Sequence, residues 1–137
     1  FGTTASGWLT DRYDPRKLLF VYYALRGLAL IYLPYSDFSF YSLAIFAVFF
    51  GLDWIATVPP TLRLATEAFG DREAPIVFGW IVAGHQLGAA SAAWMAGLVR
   101  ESQGSYLMAF VAAGATGLIA AVIALLIGRE RVVAQPA

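Results

Sequence analysis

The sequence predicts an all-α integral membrane protein made of four transmembrane helices and part of a fifth. Three observations lead there: four long apolar stretches, short connections between them, and a composition that leaves little with which to build a wetted surface. Of the 137 residues, 60% are hydrophobic, 15% aromatic and only 13% charged, and the mean hydropathy is +0.69. A soluble domain carries about 25% charged residues, so the solvent is read as lipid. A buried core helix of a large soluble protein is the competing reading for any one stretch, but four in succession weigh against it.

Each stretch is measured against the roughly 20 helical residues that cross about 30 Å of hydrocarbon. About residues 1–9 read as the tail of an earlier helix, and Phe1 is no initiator, so the chain is expected to start inside something larger. The first full span covers about 17–35, with Asp14 and Pro15 as cap and first-turn residue ahead of it. The second covers about 38–69 and ends at Gly70, a C-terminal glycine signal. Pro59 and Pro60 remove two backbone donors and should bend it near its end. The third covers about 75–99 and the fourth about 106–128, with Gly104 and Ser105 as stop and start signals between them. Residues 1–131 thus read as one partial transmembrane domain and 132–137 as a short cytoplasmic tail.

Orientation follows from the positive charges of the loops. Arg12, Arg16, Lys17, Arg72, Arg129 and Arg131 fall on one side if the spans alternate, and Arg100 alone on the other. The first group, with Arg63 near it, is expected to be cytoplasmic, as is the C-terminus; the membrane is expected to be the plasma or inner membrane. Nine Lys and Arg balance nine Asp and Glu, so no net charge points to a nucleic acid partner. The lack of cysteine excludes disulfides and thiolate chemistry.

The segment Gly7, Trp8, Leu9, Thr10, Asp11, Arg12, Tyr13, Asp14, Pro15, Arg16, Lys17 resembles the loop signature of the major facilitator superfamily. The signature reads glycine, any residue, an apolar residue, a small residue, aspartate, a basic residue, then two further basic residues, and Asp14 stands where glycine is commoner. That loop lies between the second and third helices of each six-helix half. With only four spans after it, the resemblance implies the C-terminal half of a twelve-helix transporter, from a partial eighth helix through the twelfth. VPP, TEAFG and FGWIVAGHQLGAA resemble the organic-anion and monocarboxylate porter-like branches. Read from the residues alone, Gly7 allows close helix approach, and Asp11 can meet a helix N-terminus or an arginine. The resemblance implies that Asp11, Arg12 and Arg16 latch the two halves of the transporter in one state; the plainer alternative is a loop whose charges fix topology.

Within the spans, Arg26, Asp53 and His85 fall at a similar depth near the midplane at 1.5 Å per residue. Charges there are costly and are expected to be paired or to face water. The family arrangement makes Asp53 and Trp54 better candidates for the substrate cavity than Arg26, with His85 and its neighbour Gln86 as proton-sensitive or polar candidates. The Arg26 and Asp53 pair reads either as a register-fixing ion pair or as a pair that exchanges a partner for a proton or an anionic substrate. His85 can equally be a hydrogen-bonded packing residue. Gly84, Gly88, Ala92 and Ala96 form a stripe for close helix packing, and Gly114 and Gly117 suggest the same in the last span.

No phosphate-cradling glycine loop, metal-ligand set or Ser, His and Asp constellation is legible. Enzymatic activity and cofactors are not expected. The resemblance implies secondary active transport of a small solute by alternating access, as a symporter or antiporter. Its partners would be the missing N-terminal portion, the solute and the bilayer. The alternative is a membrane sensor or assembly subunit that kept the fold without the transport.

Overall fold

The structure is a computed structural model that describes residues 2–128. Arg129, Arg131, Phe1 and the tail at 132–137 lie outside the described residues. Five α-helices account for nearly all of it: α1 (Gly2–Arg12), α2 (Pro15–Tyr32), α3 (Phe40–Ala56), α4 (Val58–Gln103) and α5 (Leu107–Leu126), with a 3-10 turn (Leu33–Tyr35) closing α2.

The loop between α1 and α2 is short because its residues finish one helix and begin the next. Asp14 is the N-cap of α2, its side chain accepting from the Arg16 amide, and Pro15 follows in the first turn, where a missing N–H costs nothing. At the far end, Ser39 caps α3 by accepting from the Ser42 amide. Asp37 accepts from both serine hydroxyls. Those hydroxyls, Ser42 first, hold the Asp37 carboxyl below its ordinary range.

The two prolines divide the predicted second span instead of merely bending it. Neither Pro59 nor Pro60 can donate to the carbonyl four residues back, so α3 stops at Ala56 and α4 starts at Val58. Thr61 Oγ1 donates to the Thr57 carbonyl across this joint. A second break lies inside α4 at Gly70, whose φ of 78° and ψ of 165° are not helical. That left-handed φ suits glycine alone without strain. The helical arm beyond it begins at once, so Pro75, expected to open the third span, lies inside a helix that is already running.

Pro15–Tyr35, Phe40–Gln103 and Leu107–Leu126 are apolar and long enough to cross a membrane. The middle stretch has 64 residues, about 96 Å of helix at 1.5 Å per residue, which is enough for two crossings that meet at Gly70. The tightest joint is between α2 and α5. A Cβ on Gly27 would stand 2.7 Å from the Gly114 carbonyl oxygen, and one on Gly117 would stand 3.1 Å from the Gly27 Cα. Small residues let two backbones touch where lipid supplies no hydrophobic drive.

Gly114 and Gly117 therefore sit in a close contact, but the other glycines singled out do not. Cβ atoms on Gly7, Gly84 and Gly88 would meet nothing within 4 Å. The α1 contact is made instead by Gly2, Ser6 and Thr10. A Cβ on Gly2 would lie 2.8 Å from the Leu52 carbonyl oxygen, and Ser6 Oγ donates to the Ala56 carbonyl. Successive contacts from Gly2 to Leu52 and from Ser6 to Ala56 run in the same direction along both helices. The ends of α1 and of the α3 to α4 strut thus lie together, beside the start of α2.

Candidate functional site

Two groups of charged residues are held by these helices, one between the spans and one at the end where α1 finishes and α2 begins. Between the spans, Arg26 Nε donates to Asp53 Oδ2 at 2.8 Å and Arg26 Nη2 to the Asp53 carbonyl at 3.0 Å. Both side chains are largely buried, at 14% and 12% exposure. The guanidinium also stands over the rings of Tyr23 and Phe50, at 5.7 and 5.9 Å. Such an environment suits a delocalised cation in an apolar setting.

Asp53 Oδ1 is buried and has no hydrogen-bond partner among the described residues. The pair borders a cavity of about 300 Å³ lined also by Tyr32, Ser42, Phe46 and Phe49. Chemically, this is an ion pair with one acceptor uncommitted, bordering a mostly apolar space.

The other intramembrane candidates are not joined to it. Trp54 is 56% exposed, and none of the described hydrogen bonds involves its ring. His85 and Gln86 are exposed on the second arm of α4, and no described hydrogen bond or ion pair links either to Arg26 or Asp53. The common depth foreseen from sequence thus yields a joined pair, with the histidine apart from it.

At the end of the bundle, Arg63 gathers three acceptors. Its Nη1 donates to the Thr10 carbonyl at 3.0 Å and to Asp11 Oδ1 at 3.3 Å, and its Nε to Glu67 Oε1 at 3.0 Å. Arg16 is forked onto Asp14, through Nε at 3.1 Å and Nη2 at 2.8 Å, and its Nη1 reaches the Ile127 carbonyl at 3.1 Å. Arg12 lies over the Trp8 ring at 4.2 Å. These groups border a polar cavity of about 680 Å³. The loop thereby contacts α4 through Asp11 and the end of α5 through Arg16.

Residues 1–137 match the sequence profile of the family described as Major Facilitator Superfamily. The chain belongs to this superfamily. Membership implies transmembrane transport of a small solute by an integral membrane protein, work that is typically non-enzymatic. No curated protein and no solved structure matches the chain significantly.

Within the superfamily loop, sequence reading missed two partners. Arg63 entered only as a topology charge and Glu67 only within the TEAFG segment, although their spacing of four on a helix is that of a favourable charge pair. Gly2, Ser6 and Thr10 also recur every four residues, a small-residue stripe that could have marked the contact face of α1.

Proposed function

We propose that this chain is most of the C-terminal half of a secondary active transporter, its helices corresponding to a partial eighth through the twelfth. It works by alternating access on a small solute, an organic anion or monocarboxylate, with proton coupling or exchange. The loop carrying Asp11, Arg12 and Arg16 biases the equilibrium between states and faces the cytoplasm with the C-terminus. Asp53 and Arg26 serve the cavity, with Trp54, His85 and Gln86 as further candidates on its flanks.

The observation that carries this reading is the Asp11 contact with Arg63. The side chains are 80% and 42% exposed and 3.3 Å apart, and an exposed ion pair is worth about 0–1 kcal/mol. A link of that size shifts a balance between conformations without locking either one. That is what a loop at the hinge of a rocking bundle requires. The uncommitted Asp53 oxygen supports the coupling role, since it is an acceptor held ready in an otherwise apolar region.

The test is counterflow. Vesicles containing the full-length protein are preloaded with unlabelled monocarboxylate and given labelled monocarboxylate outside, with and without a pH gradient. Transient accumulation of label, altered by the gradient, is the expected result. Partner capture without flux of any solute would instead favour a sensor or assembly subunit.

A further inference from the structure

The last carbonyls of a helix have no donor within it, and at the end of α3 each of them is met from somewhere else. The Trp54 carbonyl accepts from Thr57 Oγ1 at 3.0 Å and the Ile55 carbonyl from the Thr57 amide. The other two are met from neighbouring helices. Arg26 Nη2 of α2 donates to the Asp53 carbonyl at 3.0 Å, and Ser6 Oγ of α1 donates to the Ala56 carbonyl at 2.5 Å.

The Ala56 carbonyl is the one that a continuing helix would join to the amide of residue 60, and Pro60 has no amide hydrogen to give. A hydroxyl from another helix stands in its place. Ser6 and Pro60 are each less than 2% exposed and Ala56 is 6% exposed, so the seam is closed by α1, α3 and α4 themselves and water cannot supply the missing donor. Tyr22 of α2 stands behind the serine, its hydroxyl donating to Ser6 Oγ at 3.2 Å. Accepting from Tyr22 leaves the serine's own proton for Ala56.

We propose that Ser6 is a positioning residue: oriented by Tyr22, its hydroxyl replaces the amide that Pro60 lacks and fixes the angle at which residues 58–69 leave α3. That arm carries Arg63 to the Thr10 carbonyl and to Asp11. The angle therefore sets where the arm meets the loop. Its effect on flux rests on the transport reading and on the role of the Asp11 and Arg63 contact; its effect on the angle does not.

Pulsed dipolar electron resonance on the full-length protein, with spin labels on cysteines introduced at Phe40 and Phe69, reads this angle as a distance. Both positions are exposed, at 89% and 55%, and an unbroken helix between them would span about 44 Å. Ser6→Ala should shift and broaden the distance distribution and lower maximal flux per folded molecule about fivefold, the weight of one net hydrogen bond, with KM unchanged. Tyr22→Phe leaves the serine hydroxyl in place but unoriented. It should do the same to a smaller extent, and it carries the test if Ser6→Ala does not fold. Pro60→Ala returns an amide donor to the Ala56 carbonyl, so combined with Ser6→Ala it should restore one narrow distance, closer to that of the unbroken helix. Unchanged distances in Ser6→Ala and Tyr22→Phe, with only a lower melting temperature, would overturn the proposal and leave Ser6 a packing residue. A double variant as broad as Ser6→Ala alone would overturn it too, because the missing amide would not be what Ser6 replaces. Shifted distances in a protein that moves no solute even when unaltered would uphold the positioning role and count against the transport reading alone.

Discussion

Arg26 and Asp53 are the residues whose pairing decides most at the scale of single side chains. Each is largely buried and the two are 2.8 Å apart, so removing one leaves a charge without its neutraliser. Arg26→Ala or Asp53→Ala should each cost about 3–5 kcal/mol of folded stability, measured as loss of inserted, folded protein. The double variant should lose less than the sum of the singles. Strictly additive losses would contradict the pair. Sequence made this contact legible because two opposite charges in apolar spans have few affordable places to be. It could not exclude His85 from the group, since depth along a helix says nothing of which way the helix faces.

Helix joints are set at the next scale by small residues, and here the sequence was readable only in part. Glycine marks a possible close contact, but the partner's position decides whether the contact is made. A Cβ added at Gly27 would run into the backbone of α5, while one at Gly88 would meet nothing within 4 Å. Gly27→Ala should therefore destabilise the bundle by roughly 1–3 kcal/mol, the usual cost of overpacking, read as a lower melting temperature in detergent. Gly88→Ala should cause no loss, and alanine there should favour the helix by up to about 1 kcal/mol. A loss at Gly88 would locate a packing partner beyond these helices. The prolines illustrate the same limit. Pro59 and Pro60 announced an interruption, but that they would end α3 at Ala56 instead of bending it depended on where the chain next found a helical start.

For the whole molecule, the all-helical, membrane-integral character was the most legible property, because length and hydropathy suffice for it; the direction of the chain is an expectation drawn from loop charge. Cysteine at Ser102 should react with an impermeant thiol reagent outside intact cells and cysteine at Asp71 should not; both positions are exposed. Gly70 is the poorer probe because its φ of 78° would strain any side chain. Reversed labelling would invert the orientation.

A charge swap measured by initial-rate uptake decides whether the Asp11 and Arg63 contact tunes the balance between states of a moving transporter. Asp11→Arg and Arg63→Asp each place like charges together and should lower maximal flux about fivefold, the effect of about 1 kcal/mol for an exposed pair, with little change in substrate affinity. The double swap restores the attraction and should recover most of the flux. Full flux in both single variants, or a double variant no better than the worse single, would contradict it.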